Sequence, residues 1–267
     1  MIRLVIALAL LSGCARLDSF LYAVKPAPPE GIELPTTVIP TFDRFRVITS
    51  DGESLDTVYV RGTRSDTIFY CHGNNTHLGT AWPRIELLYP LGYNLVVFDY
   101  RGYGTSTGSP SEAGLMEDAR AVRAAILGKP GVDPSRIIYY GRSLGCAVCI
   151  DLATAAAPRA LLTESPFASV RALVQDGVYA DFAPSFVIDS EWDNLAKIPT
   201  IAAPYLSMHG LADDFVQPKY SIELTAAHRG PKQLVLVEGA DHGDVPDKMG
   251  TDPYLRTVDR FIEDALR

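Results

Sequence analysis

Cysteine and histidine are scarce. The 267-residue chain carries four cysteines and five histidines, and nowhere do they cluster at the spacing that holds a metal, so no metal site is expected. Basic residues are outnumbered by acidic ones, 24 to 32. That balance lacks the positive surplus that grips a phosphate backbone and argues against a nucleic-acid partner. Repeats and low-complexity tracts are missing apart from one proline-rich stretch, which excludes solenoids and fibres. What is present is an ordinary globular composition, 47% hydrophobic and 21% charged. It suits one large α/β domain or two small ones, with enough chain to bury a core without staples.

The first residues read as a targeting segment. Arg3 supplies a positive charge, and Leu4 to Leu11 form an apolar run far too short to span a bilayer as a helix. Leu11-Ser12-Gly13-Cys14 follows and resembles the lipobox of bacterial lipoproteins. The resemblance implies a signal peptide over 1–13, cleavage before Cys14, and acylation of Cys14, with several acyl chains giving stable attachment. The rival is a secretory or membrane-anchor segment that happens to hold a cysteine. Ala15, rather than Asp, after that cysteine favours the outer membrane, with the domain facing the periplasm. Residues 14–41 contain Pro26, Pro28, Pro29, Pro35 and Pro40 and little periodicity. They are expected to form a stiff tether, reaching on the order of 80 Å as polyproline II at ~3.1 Å per residue.

A domain is expected over 42–267. Phe45–Thr49 and Leu55–Val60 alternate around Ser50-Asp51-Gly52, a hairpin signal. Strands are expected at 67–71, 94–98, 136–140, 160–163, 205–208 and 234–237, the first three reading as buried, and helices are expected near 80–91, 111–127, 144–156, 219–228 and 251–266. Strands alternating with helices predict a mostly parallel sheet covered on both faces, with ligands at the strands' C-terminal ends. Residues 168–200 break the alternation.

The chain is organised around Gly141-Arg142-Ser143-Leu144-Gly145. Strand, G-x-S-x-G, helix is the setting of a nucleophile elbow, where the serine sits on a strained turn and glycines let strand and helix approach. A serine alcohol needs a base, and the base needs an orienting carboxylate. Among the five histidines, His72 and His209 open tight turns before Gly73 and Gly210, His228 ends a helix, and His77 lies in a polar loop. His242, in the loop past the last strand, is the expected base. The acid is expected in His209-Gly210-Leu211-Ala212-Asp213-Asp214. Asp213 is preferred, Asp214 is its rival and Glu164 a third candidate. Oxyanion donors are expected at the Leu144 amide and, after the His72-Gly73 turn, the Asn74 amide. Cys71, Cys146 and Cys149 are expected as small buried residues. One thiol of the three must stay unpaired, and spacing does not choose a bridge among them.

Together, His72-Gly73-Asn74, Asp99-Tyr100-Arg101-Gly102-Tyr103-Gly104, the elbow, His209-Gly210-x-x-Asp213-x-x-Val216 and Gly239-x-Asp241-His242 resemble the α/β-hydrolase superfamily, in its BEM46-like and serine-aminopeptidase-like branch. The resemblance covers residues 43 to 267. It implies an eight-stranded sheet whose second strand is antiparallel, a catalytic Ser143-Asp213-His242 triad, a short cap over 166–200, and chemistry that needs no cofactor. It leaves the substrate open. Three functions are weighed: hydrolysis of small or lipid-like acyl esters or thioesters, cleavage of amides or peptides by the same nucleophile, and a membrane-tethered binding protein without activity.

Overall fold

The computed structural model describes residues 21–177 and 190–265. Eight strands form one sheet in the order β1-β2-β4-β3-β5-β6-β7-β8. They are β1 (Asp43–Ile48), β2 (Ser54–Val60), β3 (Thr67–Cys71), β4 (Asn94–Phe98), β5 (Ile137–Arg142), β6 (Ala160–Glu164), β7 (Tyr205–Gly210) and β8 (Lys232–Val237). Strand β2 runs antiparallel to both of its neighbours, and every other pairing is parallel. The hairpin, the parallel alternation and the inverted second strand all match the expectations above.

The strands from β3 to β7 are buried at every position but Arg142 because both sheet faces are covered. Alternate residues of β3 enter different cores: Phe69 and Cys71 meet one cluster, Ile68 and Tyr70 the other. The first cluster is closed by α2 (Glu112–Ile126), α3 (Leu144–Ala155) and α6 (Lys219–Ala227). The second is closed by α1 (Leu78–Leu88), the short α7 (Val245–Met249) and α8 (Thr251–Ala265). Helix α8 buries Tyr254, Val258, Phe261 and Ile262, the spacing of one helical stripe. Helix α1 begins earlier than expected because His77 caps it. Its Nδ1 accepts from Gly79 N–H at 3.1 Å, while Thr80 Oγ1 accepts from His77 N–H at 3.0 Å, a reciprocal cap of the capping-box kind.

The chain leaves β3 through α1 to β4 on one side, then returns through α2 to β5 on the other. The order therefore switches at the β3–β5 pair, where Cys71 lies opposite Gly141. A crevice opens at the C-terminal ends of strands at such a switch. The loop after His72 and the elbow at Ser143 both begin there.

The expected tether is corrected. The part of 14–41 that the structure describes, from Leu21 onward, is a strap packed on the domain. Tyr22, Ile32 and Ile39 are buried. Gly104 exchanges backbone hydrogen bonds with Lys25 and Ala27, Trp82 Nε1 donates to Pro35 O, and Arg44 Nη1 donates to Ile32 O. Proline removes donors but keeps its carbonyl, so a proline-rich segment can serve as acceptor without becoming a strand. Apolar side chains placed singly among prolines have no period, which is why composition suggested an extended chain. Residues 1–13 and Cys14 lie outside the described residues.

Of the short insertion, 166–177 and 190–200 are described. They hold α4 (Val170–Gln175) and α5 (Asn194–Lys197). Its two ends are tied together by Val170 N–H to Glu191 O at 3.0 Å and Leu195 N–H to Ala168 O at 3.0 Å. Glu112 on α2 receives the amides of Glu191 and Trp192.

Candidate active site

Ser143 sits at φ 52°, ψ −119° between β5 and α3. That left-handed backbone is costly for a residue with a Cβ and survives only where its surroundings force it. Here they do. A Cβ on Gly145 would collide with the Cys71 carbonyl, and one on Gly141 with the Gly145 carbonyl. The Ser143 amide is held by Glu164 O at 2.9 Å.

The structure brings Ser143, His242 and Asp213 together. His242 Nε2 lies 3.0 Å from Ser143 Oγ, and His242 Nδ1 lies 2.8 Å from Asp213 Oδ2. A carboxylate only accepts, so Nδ1 carries the proton and Nε2 is left free to accept from the alcohol. The other Asp213 oxygen accepts from the amides of Phe215 and Val216 at 3.1 and 2.8 Å. Burial would push this carboxyl up. Hydrogen bonds from His209 and His242 and a backbone amide overrule that and hold it far below the usual carboxylate range. The Phe215 ring meets His242 edge-on, centroids 5.1 Å apart.

The alternatives fall elsewhere. Asp214 points to solvent. Glu164 is fully buried behind the elbow, where it accepts from Arg84 at 2.6 Å and Tyr140 at 3.0 Å. Burial opposes its charge, but Arg84 outweighs that and lowers its pKa. His72 donates to Gly73 O through Nδ1 and packs on Tyr100, bracing its loop. His77 caps α1 rather than lying free in a loop, and His228 is buried and accepts from Gly230 N–H.

His209 has a part that sequence reasoning missed. Its Nε2 faces Asp213 Oδ2 at 3.1 Å and Val216 O at 2.7 Å, and its Nδ1 faces Ser221 Oγ at 2.6 Å. Val216 O also only accepts, so Nε2 carries the proton and Nδ1 accepts from Ser221. A second imidazole therefore orients the acid. The i, i+4 spacing of His209 and Asp213 around a tight turn was the available signal.

An apolar cavity opens beside the nucleophile. Leu21, Tyr22, Phe167, Val170, Leu173 and Trp192 wall it, and Asn74, Ser143 and Leu144 form its polar end. The Asn74 side chain is already engaged: Nδ2 donates to Leu21 O at 2.8 Å, and Oδ1 accepts from Tyr103 OH at 2.6 Å. The Leu144 amide opens α3, whose N-terminus favours a developing anion. Cys71, Cys146 and Cys149 are buried and unbridged. Among the described residues no group of three or more His, Cys, Asp or Glu could hold a metal ion, and no helix is long and apolar enough to cross a membrane.

Comparison with known proteins agrees with this fold. Residues 62–188 match the family model described as serine aminopeptidase, S33. An uncharacterized protein of Mycobacterium tuberculosis is 35% identical over 86% of this chain and 82% of its own. The α/β hydrolase domain-containing protein 17B of Xenopus laevis is 31% identical over 83% of this chain and 75% of its own. Among solved structures, an esterase of Pyrococcus furiosus superposes with a TM-score of 0.74 at 20% identity, covering 90% of this chain and 99% of that one. An acylaminoacyl peptidase of Pyrococcus horikoshii gives 0.64 at 18%, covering 85% and 42%. Sequence relatives over most of the length and a shared eight-stranded topology mean that this chain belongs to the α/β-hydrolase superfamily.

Proposed function

We propose that this α/β hydrolase cleaves carboxylic esters or thioesters through an acyl-enzyme intermediate. One observation carries the reading: a single imidazole, His242, bridges the Ser143 alcohol at 3.0 Å and the Asp213 carboxylate at 2.8 Å. Ser143 Oγ attacks the carbonyl carbon as His242 Nε2 takes its proton. The oxyanion lies between the Asn74 and Leu144 amides, each donor being worth about 10²–10³ in rate. His242 then gives the proton to the departing alcohol or thiol. Water repeats the sequence on the acyl-enzyme: it attacks the carbonyl carbon, its proton goes to His242, and the acid leaves as Ser143 regains its hydrogen.

A fluorophosphonate probe tests the nucleophile. It should label the protein, and Ser143→Ala should abolish labelling. Labelling that persists in that variant overturns the assignment. Amide cleavage is the second reading, favoured by the serine aminopeptidase family model. Against it, the described cavity lining holds no charged side chain to grip an α-amino group. Comparing p-nitrophenyl esters with aminoacyl-p-nitroanilides separates the two, the esters being expected to dominate kcat/KM.

The substrate reading extends to place. We propose that Cys14 is acylated and holds the domain at a bacterial envelope membrane. Six residues lie between Cys14 and Leu21, which is part of the cavity wall. The seven steps from one to the other, at ~3.6 Å each, reach at most about 25 Å. The acyl site would then work close to the lipid surface, not at the end of a long tether. The full chain should sediment with vesicles and Cys14→Ser should not. Equal partitioning of the two would remove the anchor.

A further inference from the structure

The strap that replaces the expected tether does more than cover the core. Leu21 and Tyr22 face the same cavity as Ser143, although more than 120 residues of chain separate them. Two sets of bonds hold them there. On one side, Asn74 Nδ2 donates to Leu21 O at 2.8 Å and Asn75 N–H donates to Ala23 O at 2.8 Å. The strap is thus laced to the loop whose Asn74 lines the cavity beside the nucleophile. On the other, Trp192 Nε1 donates to Tyr22 OH at 3.1 Å, and Tyr22 OH pairs with Ser190 Oγ at 3.1 Å. The strap is also laced to the insertion, whose Val170 and Trp192 complete the apolar wall. Tyr22 and Trp192 are nearly fully buried, so both ends are fixed and the wall is pre-formed.

We propose that Leu21 and Tyr22 are specificity-determining residues, and that they make the wall against which the acyl chain of a medium- or long-chain ester lies. The inference rests on the hydrolase reading above. Its physical basis is that the wall is apolar and adjoins the attacked carbonyl, so each methylene laid against it gains from leaving water. A substrate with only an acetyl group lays a single methyl there and gains least. The rest of the wall comes from the insertion and from Phe215 and Val216 in the loop after β7, and the strap closes the side that these leave open.

The test uses the full chain and p-nitrophenyl acetate, butyrate, hexanoate and octanoate. The readout is the ratio of kcat/KM for octanoate to that for acetate. Leu21→Ala should lower this ratio by about tenfold, because apolar contact is lost on the long substrate alone. Leu21→Trp, which fills the cavity, should move the preferred chain toward butyrate. Tyr22→Phe keeps the ring and should keep the profile, even where thermal melting shows that losing the hydroxyl has cost stability. A merely structural strap would lower the melting temperature in all three and leave the chain-length profile unmoved; that result overturns the proposal. A profile that changes for Tyr22→Phe alone also overturns it, since the ring would then not be the determinant. If the unaltered chain binds fluorophosphonate at Ser143 yet shows no chain-length preference, the wall proposal fails and the hydrolase reading stands. If it neither binds the probe nor cleaves any ester, both fall.

Discussion

Asp213 Oδ2 lies between two imidazoles, 2.8 Å from His242 Nδ1 and 3.1 Å from His209 Nε2. Behind His209 runs a chain of hydroxyls. Ser207 Oγ donates to Ser221 Oγ at 3.0 Å, Thr163 Oγ1 donates to Ser207 Oγ at 3.3 Å, and Thr163 pairs with Tyr205 OH at 2.9 Å. All of these groups are buried. Their directions fix one tautomer of His209, and that tautomer fixes the carboxylate. The acid is held by the β6–β7 interior as well as by its own loop.

His209 is therefore expected to act on rate through Asp213 without touching substrate. A hydrogen bond to a charged group is worth roughly 1.5–3 kcal/mol, so His209→Phe should lower kcat/KM by about 10- to 100-fold with kcat carrying the loss. His209→Gln, which can still donate, should recover part of it. Stopped-flow acylation of Ser143 by a p-nitrophenyl ester reads this directly. Equal acylation rates in all three proteins would leave His209 a packing residue only.

Asp213→Asn should lower kcat/KM by about 10³–10⁴, as loss of the orienting acid does in other triads. The stability effect has a definite sign with pH. Folding lowers the pKa of Asp213, so the stability it contributes is present above the ordinary carboxylate value of about 3.9 and is lost as pH falls through the folded value. The gap in unfolding free energy between the unaltered chain and Asp213→Asn should be widest near neutrality and narrow below about pH 4. Urea titrations at pH 7, 5 and 3 check it; a gap that widens on acidification contradicts the assignment of charge.

Glu164 ends β6, the strand before the one that leads to Asp213, and could serve as triad acid on sequence alone, but the structure gives it other work. Its carboxylate is wholly buried against Arg84, with Tyr140 and Tyr254 donating to the same oxygen. Glu164→Gln should cost about 3–5 kcal/mol, because it leaves a guanidinium in a dry site without its counter-charge. Replacing both members, Arg84→Met with Glu164→Leu, should cost much less. Equilibrium unfolding of the three proteins decides whether the pair or its polarity matters.

The strap has a stability role that a truncation exposes. A chain beginning at Val38 loses Tyr22 and Ile32 from the interior and the carbonyls that serve Asn74, Arg44 and Trp82. Burying side chains of that size contributes ~1.5–3 kcal/mol each. The Val38 chain should melt lower than a chain beginning at Leu21 and should bind a hydrophobic dye. Indistinguishable melting curves would mean that the strap is not part of the folded unit.

Much of this protein was legible before any coordinates. Gly141-Arg142-Ser143-Leu144-Gly145 between an apolar strand and an apolar helix specifies the elbow, because the steric demand of that turn is local and excludes Cβ at two positions. The alternation of β3 to β7 with helices specifies a doubly covered sheet, since a largely apolar run along a strand records burial on both faces. His242 could be singled out because the other four histidines had local explanations. What sequence could not decide was everything set by contacts between distant segments. Proline spacing described residues 21–41 as extended, yet whether an extended segment stands free or lies on a surface depends on the groups that accept it, here Trp82, Arg44, Asn74 and Gly104. Asp213, Asp214 and Glu164 are equivalent carboxylates on paper. Only the packed β6–β7 interior, which turns one toward two imidazoles, another toward water and the third toward Arg84, makes them different.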